Sequence, residues 1–355
     1  MHLEVPVLRV VARRFDASVE SPASASLPAF LLPGSSLVQS WLVGATDGKT
    51  WGWWGPISRH VAEYAVEVFC AIAQTEPTTP DQWGERARRH TRHAHSGLGS
   101  LAVGVFELAV WDLAGQRTDR PVWALLCETP AVSSVEGYAT CFGFDAEKNL
   151  GRNLARELST RGWKCQKWRP PDCRGDSVDE LSRIVLGKGG IALDFGGLWP
   201  LEKVVSFLAQ VKCSLEWIEE PVPPWRLPDL DTVSLPAPVA AGEHCYGPHE
   251  TFLLEASGVS IWQPDSVFCG GFSNLVRIAH RAEIVGARCI PHGGGLLPAI
   301  HAAACGAKVE SIEWHLLIEP KRQAHLADTL APGESPSIPV PYRPGWGGRL
   351  HSSVL

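Results

Sequence analysis

The chain has 355 residues, 45% of them hydrophobic, and a formal charge of −6. That length holds one large domain and a smaller one, with apolar content ordinary for a sizeable core. The weak acidic balance and the lack of a long basic run argue against a nucleic-acid partner, and neither a membrane-spanning run nor a signal peptide is expected.

In chain order, Val5 to Val11 and Leu37 to Val43 read as strands. Between them, residues 16–36 are rich in Ser, Pro and Ala and read as a long loop. Thr46-Asp47-Gly48-Lys49 is a turn signal before a further strand from Trp51. Residues 59–73 and 97–115 carry helical patterns, the second with Leu101, Val105, Leu108 and Trp111 on one stripe. The basic cluster Arg86 to Arg92 reads as a solvated helix face. From about Val135, strand and helix alternate. Strands are expected at 135–142, 163–168, 191–194, 215–219, 238–242, 260–264, 288–291 and 311–314, with helices such as 147–161, 200–211 and 272–285 between them. Eight such units at a nearly constant period predict a parallel α/β barrel. The stretch after Leu317 is rich in Pro and Gly and gives no clear eighth helix. The expected division is an α+β unit over 1–125, the barrel over 126–318, and a tail over 319–355 that folds back on the first unit. The ten cysteines are scattered without a C-x-x-C pair, which fits free thiols in a reducing, cytoplasmic compartment.

The functional pattern lies in what ends each barrel strand. Asp194, Glu219 and Glu243 end the third, fourth and fifth, about 25 residues apart. Three carboxylates at the C-terminal ends of successive parallel strands converge, and their oxygens suit a hard cation such as Mg²⁺. Lys167 and Arg169 end the second strand, Asp265 the sixth, His292 the seventh and Glu313 the eighth. A single acid after a strand is often a helix cap. Polar groups on seven consecutive strands read instead as an active site on the barrel's C-terminal face.

These residues resemble the mandelate racemase branch of the enolase superfamily. The matching stretches are Gly162-Trp163 through Arg169, Leu193-Asp194-Phe195-Gly196, Trp217-Ile218-Glu219-Glu220-Pro221, Gly242-Glu243, Gln263-Pro264-Asp265, Cys269-Gly270-Gly271, Pro291-His292-Gly293 and Ile312-Glu313-Trp314. Leu108 to Gly115 resembles the helix leading into that family's barrel. The resemblance implies a (β/α)₇β modified TIM barrel under an α+β capping domain, with Mg²⁺ held by Asp194, Glu219 and Glu243 and Glu220 supporting them without being a ligand. It implies a His292–Asp265 acid/base dyad, a protonated Glu313 that donates to the substrate carboxylate, and specificity loops at 16–36 and 51–58. The partner implied is a small carboxylate, a sugar acid; assembly into a homo-oligomer is common in the family.

The shared reaction removes a proton α to a carboxylate, and charge on the resulting enediolate needs a metal or cationic donor. One departure matters. Where the racemase pattern is Lys-x-Lys, with the second Lys as base on the opposite face, this chain has Lys167-Trp168-Arg169. Arginine stays protonated and is a poor proton acceptor. A one-base scheme therefore fits better: His292 takes the α-proton and then protonates a departing β-hydroxyl. Gly242-Glu243-His244 and the Gln263-to-Gly271 run also resemble acid-sugar dehydratases. A racemase using Lys167 as second base, and a metal-binding protein without turnover, remain alternatives. His244 is a candidate substrate contact. Trp53 and Trp54 are candidate substrate platforms whose blander reading is loop packing; Trp54 stands where relatives often carry Glu. His301 and His315 read as packing residues.

Overall fold

The computed structural model describes residues 3–15, 40–170, 175–185, 190–293, 296–328, 330–333 and 335–352. The loop expected at 16–36 lies outside the described residues. Strands β1 (Arg9–Arg14), β2 (Trp41–Thr46) and β3 (Trp51–Ile57) form an antiparallel sheet in that order. Asp47 Oδ1 closes the β2–β3 turn by accepting from the backbone N–H groups of Lys49 (2.9 Å) and Thr50 (2.7 Å), the Asx device the turn signal predicts. The segment expected as a specificity loop at 51–58 is thus strand for nearly its whole length.

Helices α1 (Arg59–Ala73) and α3 (Leu98–Thr118) pack on this sheet and α2 (Pro80–His90) packs on α3, with α1 and α2 capped by Ser58 and Thr79. The one-stripe expectation for α3 does not hold. It is buried on every face from Gly99 to Gly115 apart from half-buried Leu101, and even Glu107 and Asp112 are inside. The reason is its position: β2, β3, α1 and α2 cover one side, and barrel loops cover the other. Two glycines allow this. A Cβ on Gly52 would meet Leu113 N at 2.1 Å, and one on Gly104 would meet Val267 O at 2.1 Å. Contrary to the expectation of no spanning run, α3 is long and apolar enough to cross a membrane by length and composition; here it is the core helix, 89% of its apolar window buried within the protein.

The second unit alternates β4 (Ser134–Thr140), α4 (Asn149–Thr160), β5 (Cys165–Trp168), α5 (Gly175–Val185), β6 (Gly190–Asp194), α6 (Leu201–Leu208), β7 (Leu215–Glu219), β8 (Val239–Ala241), α7 (Thr251–Ala256), β9 (Ile261–Trp262), α8 (Phe272–Val285), β10 (Arg288–Cys289), α9 (Leu296–Ala304) and β11 (Ile312–His315). All eight strands are parallel, in the order β11, then β4 through β10. The two ends meet at a single parallel bridge, Cys289 to Val309. Between β7 and β8 the crossover is a 3₁₀ run, Pro224–Thr232, with Pro228 inside it lacking the N–H an α-helix would use there. After β11 the helix α10 (Glu319–Arg322) has only one turn, and β12 (Ser337–Pro339) pairs antiparallel with β4. The chain then returns to α3, where Trp346 donates its backbone N–H to Asp112 Oδ1 (3.0 Å) and its indole to Leu108 O (3.0 Å).

Side chains alternate in and out along each strand. Tyr138, Ala192, Trp217, Ala240, Ile261 and Ile290 fill the barrel as an apolar plug. Two residues further on, at the C-terminal ends, the same inward rows carry Thr140, Asp194, Glu219, Gln263 and His292, with Lys167 two beyond Cys165. The site sits on that plug.

Candidate active site

Lys167 lies at the centre. It is 1% exposed, with Nζ 2.6 Å from Glu219 Oε1, 3.0 Å from Glu313 Oε1 and 3.8 Å from Asp194 Oδ2. Burial alone would strip its proton, but Glu219 and Glu313 hold the ammonium charged well above the usual lysine range. Register brings two of these acids together, because Asp194 and Glu219 are direct partners on β6 and β7. Glu219 Oε2 accepts from Trp217 Nε1 (3.0 Å) and Gln263 Nε2 (2.8 Å). Arg169, at the rim with its side chain 45% exposed, donates to Asp194 Oδ1 (2.9 Å) and lies over Phe142. Burial lifts the Asp194 carboxyl against the pull of Lys167 and Arg169, and burial with the neighbouring acids lifts Glu219 to about 7 despite Lys167.

Glu313 differs from the expectation. Oε1 takes Lys167 and the Thr140 hydroxyl, and Oε2 takes the Gly293 N–H (2.7 Å). Burial opposes its charge, yet Lys167 and His292 hold its carboxyl below the usual range, so it is an ionised acceptor rather than the protonated donor expected.

His292 and Asp265 do form a pair, Nδ1 to Oδ2 at 2.9 Å. Asp265 Oδ1 is fixed by the N–H groups of Val267 (2.7 Å) and Phe268 (3.1 Å). Burial is outweighed by these contacts and by His292, which keep the Asp265 carboxyl low. With Nδ1 on Asp265, the other ring nitrogen, Nε2, lies 3.7 Å from Glu243 Oε2. Burial would lower the imidazole, but Glu243 and Asp265 raise it to about 10. Helix α3 fixes the surrounding loops. Ser100 Oγ donates to Phe268 O (2.7 Å) and Tyr246 O (3.1 Å), and Glu107 receives the N–H groups of Phe272 (2.7 Å) and Ser273 (3.1 Å) at the start of α8.

The three expected metal ligands do not close into one cluster. Lys167 and Arg169 hold Glu219 and Asp194, while Glu243 turns toward Glu220, His244 and His292. Among the described residues, the groups whose ligand atoms all lie within 4.8 Å are Glu220–Glu243–His244 and His95–His249–Glu250. Glu220 has a positive φ of 41°, a conformation uncommon outside glycine. Its Oε1 meets His244 Nδ1 at 3.0 Å, and this contact raises the imidazole. By donor chemistry, Asp194, Glu219 and Glu243 still fit a hard divalent cation: all are oxygen ligands, two are on registered strands, and buried negative charge is in excess among them.

Trp54 is buried and lines a cavity that His292 and Asp265 also line. Trp53 does not join them; it stacks on Trp51, with ring centroids 5.1 Å apart, away from His292. His301 is a satisfied core residue whose Nδ1 accepts from Trp123 N (3.0 Å). Gln263, Thr140 and Glu107 were missed in the sequence. The first two stand on inward rows whose other members were named, so strand register alone could have found them.

This arrangement, an acid-rich barrel mouth with a carboxylate-oriented histidine under an α+β cap, defines a class. The chain belongs to the enolase superfamily: residues 150–354 match the family described as Enolase C-terminal domain-like. It is 29% identical over 252 residues to a protein of Caldivirga maquilingensis provisionally named an L-rhamnonate dehydratase; the match covers 68% of this chain and 60% of that relative. Among solved structures, an enolase-superfamily member from Agrobacterium tumefaciens has a TM-score of 0.81 at 20% identity, covering 99% of this chain and 98% of that one. The 3,6-anhydro-D-galactonate cycloisomerase of Zobellia galactanivorans has a TM-score of 0.78 at 20% identity, covering 98% and 97%. Both likenesses are of fold: an enolase-superfamily TIM-barrel enzyme with an N-terminal cap.

Proposed function

We propose that this enzyme dehydrates a sugar acid to a 2-keto-3-deoxy acid by a one-base route through His292. The observation that carries the reading is the state of Lys167. It is fully buried, its Nζ is enclosed by Glu219 and Glu313, and it does not line the cavity that His292 lines, so it is placed to neutralise charge rather than to meet a substrate proton. Arg169, paired with Asp194, is no base either. Among the described residues, the His292–Asp265 pair is then the dyad beside the cavity with a geometry suited to proton exchange.

In this scheme His292 Nε2 takes the proton from C2 of the substrate. The electron pair of that C–H bond moves into an enediolate, which collapses by expelling the C3 hydroxyl. The His292 proton goes to the leaving oxygen and forms water. The enol left behind tautomerises to the keto acid. Asp265 holds the imidazole tautomer, and Lys167 balances charge at the barrel centre. Mg²⁺ held by Asp194, Glu219 and Glu243 would neutralise charge developing on the substrate carboxylate and offset the Glu243 charge that raises the His292 imidazole.

The test is an acid-sugar library in D₂O with Mg²⁺. The expected outcome is a semicarbazide-reactive keto acid from at least one acid, abolished by EDTA. Deuterium at C2 without loss of water would instead make the enzyme a racemase or epimerase. The name of the Caldivirga relative supports the dehydratase reading over that one.

A further inference from the structure

A cluster of metal-ligating side chains separate from the barrel-mouth acids joins the cap to the barrel. His95 stands between the 3₁₀ turn Arg92–Ala94 and the start of α3, on the cap. His249 and Glu250 stand in the 3₁₀ turn Pro248–Glu250, between β8 and α7 of the barrel. One imidazole nitrogen from each histidine and one Glu250 oxygen all lie within 4.8 Å of one another. The two rings are 6.0 Å apart between centroids, at 62° to each other. His249 Nε2 is 3.7 Å from Glu250 Oε1. Ligands of a tetrahedral ion with bonds of about 2.0 Å stand about 3.3 Å apart, so small side-chain rotations close the set.

The backbone on both sides is already fixed. Glu250 Oε2 accepts the backbone N–H of Tyr246 (2.8 Å), which orients the carboxylate with Oε1 toward His249. The Glu250 N–H donates to Gly247 O (3.0 Å) and closes its turn. On the cap, Ala94 N donates to Thr91 O (2.7 Å), and Ala94 packs so closely on Gly99 that a Cβ there would meet Ala94 O at 1.7 Å. Ser100 Oγ reaches across to Tyr246 O (3.1 Å). Against this fixed backbone both imidazoles are exposed and Glu250 is half-buried, so an ion from solvent can reach them. Two imidazoles with one carboxylate suit Zn²⁺ and similar transition ions, whereas Mg²⁺ and Ca²⁺ take oxygen ligands. We propose that His95, His249 and Glu250 bind one Zn²⁺-class ion, distinct from the Asp194–Glu219–Glu243 set. Three protein ligands leave a fourth position for water. The bound ion clamps residues 246–250 to the start of α3, and the stretch leading into them carries Glu243 and His244 at the barrel mouth.

The test is calorimetric titration of Zn²⁺ into the full chain, stripped with EDTA and then saturated with Mg²⁺, beside His95→Ala and His249→Ala. Both side chains are exposed, so their loss leaves the core intact. The expected result is an equivalent of Zn²⁺ bound at micromolar or lower concentration, which each substitution weakens by about a hundredfold or more. Zinc X-ray absorption of the complex should show two histidine nitrogens and oxygen neighbours at about 2.0–2.1 Å, with the histidine signal reduced in each variant. Zn²⁺ binding that is unchanged in both variants and lost in His244→Gln puts the ion at the barrel mouth and overturns the proposal. Loss in His249→Ala alone makes the ion a contact of one segment and overturns the bridge. Absence of binding at submillimolar Zn²⁺ overturns the site itself.

Discussion

Two buried polar regions meet at His292, and their acids are paired to different degrees. In the barrel centre every carboxylate has a partner: Glu219 takes Lys167, Trp217 and Gln263, Glu313 takes Lys167, Thr140 and Gly293, and Asp194 takes Arg169. On the cavity wall, Glu319 accepts on one oxygen only, from Gln323, and its other oxygen has no hydrogen-bond partner among the described residues. The difference lies in the acids and their counter-charges: the barrel-centre carboxylates are held by Lys167 and Arg169, whereas the nearest cation to Glu319, Arg322, stands 3.9 Å away. A cation in contact fixes both charge and geometry.

The largest effect that sharpens this contrast is expected at their junction. His292→Asn should cost about a thousandfold in turnover, the range for losing a positioned general base, measured as keto-acid release. Undiminished turnover would remove the one-base scheme. Next comes the paired region. Lys167→Met leaves buried acids without their counter-charge and should destabilise the fold by about 3 kcal/mol or more, read by denaturant unfolding. A fold of unchanged stability would mean that Lys167 is not holding the network together. A smaller loss, about 2 kcal/mol, is expected for Glu107→Leu, because two backbone N–H groups at the start of α8 and the Trp111 indole lose their acceptor.

The smallest is a slope. His301 and His315 are neutral and buried with folded pKa values near 3, and His325 near 4, against about 6.5 in an unfolded chain. The unfolded chain therefore binds the extra protons first. Stability is intact above pH 6.5 and falls as pH drops toward those folded values, by about 1.4 kcal/mol per pH unit for each histidine. Melting curves from pH 7 to pH 4 should show this fall, shallower in His301→Leu; an identical slope would place His301 outside the effect.

Much of this was legible in the sequence. All eight barrel strands fall within a few residues of their expected places, because short apolar runs separated by helix-length segments leave little choice of period. The rim residues followed from the ends of those runs. The all-round burial of α3 was hidden, since Leu101, Val105, Leu108 and Trp111 look like one stripe until a second layer is known to cover the far side. The charge state of Glu313 was also hidden, for it depends on Lys167, Thr140 and Gly293 meeting it from three separate strands and loops. Glu319 lies in a stretch with no period at all, and only its place on the cavity wall marks it.

The most direct measurement of the central claim separates proton removal from water loss. The 3-deoxy analogue of whichever library acid is turned over has no hydroxyl to expel. Incubated with enzyme and Mg²⁺ in D₂O, it should gain deuterium at C2 with retained configuration, and gain none with His292→Asn. Inversion at C2, or exchange that survives His292→Asn, would contradict a single base acting on one face.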